Sequence, residues 1–153
     1  LLAAKQPADA NKIFAEAYAL APSSALAVGQ YRARTQAGLP GPDEPLATWL
    51  ARTPNDLAVR ALLAEGYLRA NNRARAIAEY EDLLGRSGSN VLALNNLAWL
   101  YSSSNANRAE ELGRRALALA LLRAVGRPTW QDSATVAEPQ KQGLRRSAAG
   151  GRS

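Results

Sequence analysis

Apolar residues recur along most of the chain at helical spacing, but one stretch is apolar almost throughout. The stretch LNNLAWLY, Leu94–Tyr101, carries five apolar residues in a row after two asparagines. A helix on a globular surface normally shows an apolar stripe instead, and a buried strand is the other structure that such a run allows. We predict a helix that is covered on more than one side.

Start and stop signals divide the rest of the chain into further helices. Pro22 and Pro54 cannot continue the helices that precede them, and Asn71 and Asn105 suit the left-handed turn that ends a helix. The stretch GLPGPDEP is a turn-rich loop. The predicted segments are the stump Leu1–Ala4 and the helices Asp9–Leu20, Ser24–Ala37, Asp43–Arg52, Asp56–Ala70, Arg73–Gly85, Asn90–Ser103 and Asn107–Ala124.

The composition also favours helix over sheet. The chain has 153 residues, of which 47% are hydrophobic, mostly alanine and leucine. It contains no cysteine and no histidine, which removes disulfides, thiolate chemistry and the commonest general base and metal ligand. No apolar run reaches the roughly 18 residues of a membrane span, and the first residues lack the order of a signal peptide. We predict an all-α protein without a membrane span.

The two clearest helix pairs repeat each other. Three pairs of matching residues lie 34 positions apart: Leu63 with Leu97, Ala64 with Ala98, and Tyr67 with Tyr101. In the second helices the offset is 33, as Ala76 and Ala109 illustrate, because one residue is lost in the turn between helices. A period near 34 is typical of a solenoid of helix pairs.

These residues resemble the tetratricopeptide repeat (TPR) family. Its signature has a leucine, a small residue and a tyrosine in the first helix, and an alanine followed by an aromatic residue in the second. The residues that carry the resemblance are Leu63, Ala64, Tyr67, Ala76 and Tyr80, then Leu97, Ala98 and Tyr101, and earlier Ala10, Phe14, Ala17 and Pro22. The chain departs from the signature at Arg60 and Leu94, which replace a tryptophan, and at Gly88, which replaces a proline.

The resemblance implies a fold and a function. The fold is an all-α, right-handed superhelical solenoid of antiparallel helix pairs, with about three and a half pairs in residues 1–125 and the first pair truncated, as in a fragment of a longer array. The function is a non-catalytic scaffold that binds a protein or peptide partner in its concave groove. The repeats also look like those of large bacterial TPR lipoproteins of exopolysaccharide and protein-sorting systems, which would imply the periplasm or cell envelope.

In the family, the outer positions of the first helices face this groove. The resemblance places there Ala58, Ala61, Glu65, Leu68 and Arg69 from one helix, and Leu92, Asn95, Trp99, Ser102 and Ser103 from the next. Trp99 would offer a flat apolar wall with one donor, unless it belongs to the core. Asn95 would bond an extended peptide, unless it is only solvated or capping. Glu65 and Arg69 have the spacing of an ion pair.

Asn96 matches an asparagine that some TPR proteins use to hold the C-terminal carboxylate of a partner. The lysine and arginine residues that complete such a site are missing from the matching groove positions. The resemblance therefore does not imply that specificity here.

Catalytic chemistry finds little support in the sequence. The acidic clusters Glu79-Glu81-Asp82 and Glu110-Glu111 suit a solvated helix face. The loop GLPGPDEP lacks the Lys-Ser/Thr that follows a phosphate-binding loop, and no nucleophile motif is present. We expect a protein that is not an enzyme, with no cofactor and no metal.

The net charge of +6 is uneven. Residues 1–120 hold 13 Lys+Arg against 11 Asp+Glu, and residues 121–153 hold 6 against 2. The loss of periodicity after Gly126 predicts a basic, disordered tail over 126–153, or an end translated out of frame. Two alternatives to a groove ligand remain. The first is self-association through the open terminal repeats. The second is nucleic-acid binding through the basic tail, but the tail has few aromatic residues on which bases could stack.

Overall fold

The described part of the chain is all-α. The computed structural model describes residues 2–125, with side chains from residue 6 onward. These residues form seven helices and no strand: α1 (Leu2–Leu20), α2 (Ser24–Ala37), α3 (Glu44–Arg52), α4 (Leu57–Arg69), α5 (Arg73–Arg86), α6 (Val91–Tyr101) and α7 (Ala106–Val125). The predicted fold class is confirmed at this level. The tail predicted over 126–153 lies outside the described residues.

Side-chain caps set most helix starts. The side chains of Ser23, Asp56, Asn72 and Asn90 each accept a hydrogen bond from the backbone amide three residues later. Each cap satisfies one amide that the first turn of a helix leaves without a partner. For this reason the bounds of α2 to α7 lie within two residues of those predicted.

The first helix differs from its prediction. A stump at Leu1–Ala4 and a second helix from Asp9 are wrong, because α1 is one continuous helix over Leu2–Leu20 with Pro7 inside it. Pro7 is the sixth residue of α1, so it removes the backbone hydrogen bond to Ala3 O, but its φ is compatible with a helix and the helix continues through it.

The helices pack in chain order. Each described helix makes its main contacts with the helices before and after it. One core cluster lies among α4 to α7 and contains the fully buried Tyr80, Leu97 and Leu112. A second lies among α2, α3 and α4 and contains Leu46 and Leu63. Since α4 contributes to both clusters, it joins the two halves of the structure.

The stretch LNNLAWLY is the helix α6, and it is covered on more than one side. Leu94, Leu97 and Leu100 are fully buried, and Ala98 and Tyr101 are partly buried. Trp99 is the exception, with 62% of its surface exposed. The run of apolar residues therefore serves the core, except for one tryptophan that faces outward.

The turns repeat with the sequence period, with one exception. The caps Asp56 and Asn90 are 34 residues apart, and the caps Ser23 and Asp56 are 33 apart. Asn71 adopts the left-handed conformation at φ 56°, as predicted. Asn105 does not; its side chain instead accepts a hydrogen bond from Arg108 N at 3.1 Å. Asn105 therefore corresponds to the cap Asn72, 33 residues earlier, because the shorter turn has lost the left-handed residue.

Candidate functional site

An extended surface depression lies between α2 and α4. It consists of three adjoining cavities of about 710, 420 and 330 Å³. The first and second share Arg32 and Leu62, and the second and third share Tyr31, Thr35 and Arg69. We call this continuous feature the α2–α4 groove.

Two glycines allow close approach around the groove, Gly66 between α4 and α2 and Gly29 between α2 and α1. A Cβ added at Gly66 of α4 would lie 2.9 Å from Oη of Tyr31 in α2. A Cβ added at Gly29 of α2 would lie 2.6 Å from the ring of Phe14 in α1. Both contacts would be too close for any larger residue without movement of the aromatic side chain. The glycines thus determine where the helices meet and where the cavities open.

A hydrogen bond joins the walls in the middle of the groove. Arg69 Nη2 in α4 donates to Tyr31 Oη in α2 at 2.7 Å. Tyr31 itself is buried, with 5% of its surface exposed, so its hydroxyl holds an exposed guanidinium in place. No ion pair between Arg69 and Glu65 accompanies this bond among the described residues, so the pairing of these two residues suggested by their spacing is wrong.

The wide end of the groove is mainly apolar. Phe14, Ala25, Val28, Ala58 and Leu62 line it together with backbone and a few polar groups. Its one carboxylate, Asp56, accepts hydrogen bonds from Trp49 Nε1 at 2.8 Å and from Val59 N at 3.1 Å. Both oxygens of Asp56 are therefore engaged within the protein.

The narrow end of the groove contains Tyr67, Pro42 and Asp43. The Asp43 carboxylate lies 3.9 Å from Arg75 Nη1, and the guanidinium of Arg75 lies over the Tyr67 ring at 5.5 Å. Partial burial of the Tyr67 hydroxyl and, after it, the nearby Asp43 carboxylate raise the pKa of Tyr67 above its usual value. Tyr67 is therefore neutral at physiological pH and can act as a donor.

The predicted groove residues of α4 have mixed positions. Arg69 and Ala58 line the α2–α4 groove. Leu68 is partly buried against the core cluster of α4 to α7, and Ala61 packs beside it. Glu65 is half-buried, and its charge contributes to the raised pKa of Tyr80, whose first cause is burial.

The predicted residues of α6 form a separate exposed surface. Leu92, Asn95, Trp99 and Ser102 are all exposed, at spacings of three or four residues that put them on one side of the helix. The guanidinium of Arg73 lies 5.7 Å from the Trp99 ring centroid, and Arg73 Nη2 also donates to Ser103 Oγ at 3.1 Å. Ser102 Oγ donates to Trp99 O at 2.8 Å. None of these residues lines the α2–α4 groove.

Sequence reasoning missed the α2 wall of the groove. Tyr31, Arg32, Thr35 and Gln36 of α2 line its centre, yet none was among the predicted site residues. A signal was available in the caps, because Ser23 precedes Asp56 by 33 residues. At that offset Arg32 of α2 corresponds to Glu65 of α4, which had been assigned to the groove.

The described residues form neither a metal site nor a membrane-spanning helix. Within residues 2–125, no three acidic, histidine or cysteine side chains come together in a way that could hold a metal ion. None of the described helices is long and apolar enough to cross a membrane. No protein-family model matches the chain, and no curated protein sequence does either.

Proposed function

We propose that this chain is a TPR-like scaffold that binds an extended segment of a partner protein in the α2–α4 groove. The observation that carries this proposal is the continuity of the three cavities along α2 and α4. An elongated groove that is open along its length suits a chain segment better than a small molecule, since small-molecule sites enclose most of their ligand. The repeated helix pairs and their matching caps support the TPR-like part of the proposal.

The length of the groove limits the segment that it can hold. The lining runs from Ala58 in α4 to Ala70, the residue that caps this helix, which is a rise of 12 residue steps. Twelve residues of helix span about 18 Å, and an extended chain covers that distance with about five residues. The wide end, with Phe14 and Val28, would hold an apolar side chain, and the centre offers polar contacts.

A pair of tryptophan variants tests the proposal. Ala58 lies exposed in the wide end of the groove, and Ala78 is an exposed alanine of α5 that lines none of the three cavities. Peptides of nine residues would be selected from a random displayed library on the wild-type chain. Ala58→Trp fills the groove and should weaken the selected peptides by about tenfold or more, whereas Ala78→Trp should leave them unchanged.

Two results would contradict binding in the α2–α4 groove. If no peptide is selected reproducibly, or if the selected peptides bind the Ala58→Trp variant as well as the wild type, the groove is not the binding site. Circular dichroism and thermal melting of both variants would establish that each has kept its fold.

One observation favours self-association as a second candidate. Leu117, Leu121, Leu122 and Val125 of α7 are each more than half exposed, and contiguous apolar surface of this kind is typical of an interface. A second copy of the chain would cover it by the same type of helix packing that joins α6 and α7. Sedimentation equilibrium should then show a mass that rises with concentration, and Leu117→Glu with Leu121→Glu should abolish the rise. A monomer at all concentrations would exclude this candidate.

A further inference from the structure

The arginines of the described residues differ in whether they have an acidic partner. Those that form ion pairs are Arg34, Arg60, Arg75, Arg86, Arg108, Arg114 and Arg115. Those that form none with a described acidic residue are Arg32, Arg52, Arg69, Arg73 and Arg123. Two of these five, Arg32 and Arg69, line the same cavity in the middle of the α2–α4 groove.

The surroundings of these two arginines leave their charges available. The lining of the middle cavity contains no acidic residue: its other members are Tyr31, Thr35, Gln36 and Leu62. Arg32 is exposed and makes no hydrogen bond to a described residue, and the one bond of Arg69 goes to a neutral hydroxyl. The acidic residues of the outer cavities, Asp56 and Asp43, are already engaged with Trp49 and Arg75. Neither guanidinium therefore forms an ion pair with a described carboxylate, although Glu65 lies one helical turn before Arg69 and both charges act on Tyr80.

Two guanidinium groups that line one cavity from α2 and from α4 are suited to a carboxylate. A guanidinium presents paired donors that match the two oxygens of a carboxylate, and complementary charge favours the correct partner over others. Tyr31 fixes Arg69 in advance of binding, which lowers the cost of ordering that side chain.

We propose that the segment bound in the α2–α4 groove carries an aspartate or glutamate side chain, which lies between Arg32 and Arg69. This inference rests on the proposed function, since it names the chemistry of the partner at the same site. The acidic residue lies at the centre of the groove, and its neighbour toward Phe14 is apolar, because that end of the groove is lined by Phe14, Val28 and Leu62.

The peptides selected on the wild-type chain provide the test. Those that lose binding to Ala58→Trp should contain a shared aspartate or glutamate with an apolar residue nearby. Replacing that acid by its amide should weaken binding to the wild type by about tenfold. The same replacement should have little effect on binding to the Arg32→Gln variant, because the partner of the acid is then already absent.

The choice of variants keeps the test independent of folding. Arg32 makes no hydrogen bond or ion pair with a described residue, so Arg32→Gln should leave the melting temperature unchanged. Arg52→Gln is the matched control, since Arg52 is also exposed and unpaired with a described acid but lies outside the three cavities. It should retain the full preference for acidic peptides.

The outcomes separate the two proposals. Peptides that depend on Ala58 but show no preference for an acid would overturn this inference and leave the proposed function standing. An acid preference that survives in both Arg32→Gln and Arg69→Gln would also overturn it. A peptide that binds with phosphoserine at the central position, but no better with glutamate than with glutamine, would overturn the assignment to a carboxylate. The absence of any groove-dependent peptide would overturn the proposed function itself.

Discussion

Arg60 of α4 and Leu94 of α6 lie 34 residues apart at matching positions, and both are buried although only one is charged. Arg60 retains 9% of its surface exposed, and Leu94 none. Arg60 Nη1 lies 2.6 Å from Glu79 and 2.8 Å from Asp82, and its Nη2 donates to Pro54 O at 3.1 Å. An ionic network thus occupies in one helix pair the place that an apolar side chain fills in the next.

This substitution of charge for apolar volume can be tested at Arg60. Arg60→Ala should lower the free energy of unfolding by about 2 kcal/mol, because it leaves a void and two carboxylates that are only partly hydrated. Arg60→Leu restores apolar volume and should remain within about 1 kcal/mol of the wild type. Urea denaturation followed by circular dichroism gives both values. Equal losses in the two variants would mean that the ionic contacts themselves stabilise the pair.

The close approach of α1 and α2 predicts opposite effects for two glycine substitutions. Gly29→Ala puts a methyl group against the Phe14 ring and should destabilise the protein by about 1 to 3 kcal/mol. Gly113→Ala, in α7 where nothing lies within 4 Å of the added Cβ, should stabilise it by up to about 1 kcal/mol through helix propensity. Thermal melting of the two variants should shift in opposite directions. A stabilised Gly29→Ala would show that Phe14 moves aside at little cost.

Within the stretch LNNLAWLY, alanine substitutions at Leu97 and at Trp99 should lower the free energy of unfolding by different amounts. Leu97→Ala removes a fully buried side chain and should cost about 2 to 5 kcal/mol. Trp99→Ala removes an exposed ring and its contact with Arg73, which is worth about 0.5 to 1 kcal/mol at an exposed site. Chemical denaturation distinguishes the two. A large loss of stability in Trp99→Ala would show that the tryptophan serves packing after all.

Alkaline pH should destabilise the protein through its buried tyrosines. Burial is the first cause of the raised pKa of Tyr80, whose hydroxyl accepts a hydrogen bond from Asn96 Nδ2 at 2.7 Å. Burial likewise comes first for Tyr67 and Tyr101, with Asp43 and Glu81 adding to it. A group whose pKa is raised by folding stabilises the folded state below its unfolded pKa, and this contribution is lost as pH rises toward the folded pKa. Stability should therefore fall from about pH 10 upward, and Tyr80, the fully buried one of the three, should contribute most.

Tyr80→Phe separates this effect from general alkaline damage. At pH 7 the variant should be less stable by about 1 kcal/mol, because Asn96 loses its acceptor. Above pH 10 the gap should narrow, because phenylalanine has no proton to lose. Denaturation curves at pH 7, 10 and 11 would test this, and a constant gap across the series would contradict it.

Much of the helix layout could be predicted because it depends on local chemistry. Asp56, Asn72 and Asn90 are good capping residues at the positions where they cap, and Pro22 and Pro54 stand just after the ends of helices. The division of the first helix between Ala4 and Asp9 was wrong, because Pro7 lies within α1 and does not end it. Asn105 was expected to adopt the left-handed conformation, but the turn before α7 is one residue shorter. The asparagine therefore caps the start of α7 instead.

The groove could be predicted only in part because it depends on how far apart two helices lie. That spacing follows from Gly66 and Tyr31, which are 35 residues apart in the sequence and meet only after folding. Arg69 was assigned to the groove from its position on the helix. Its hydrogen-bond partner across the groove, Tyr31, has no matching tyrosine in the repeat pattern, because the corresponding residue of α4 is Ala64. The sequence left Trp99 open between the groove and the core, and no sequence rule placed it beside Arg73.

Because the helices pack in chain order, the terminal helices can unfold locally. Because each described helix rests mainly on its two chain neighbours, either end can detach without disturbing the middle. Amide hydrogens should exchange fastest in α1 and α7 and slowest in α4 and α5, which have covered neighbours on both sides. A partner bound between α2 and α4 would stabilise the helices around the groove. Its binding should slow amide hydrogen exchange in α1 to α4 and leave exchange in α7 unchanged.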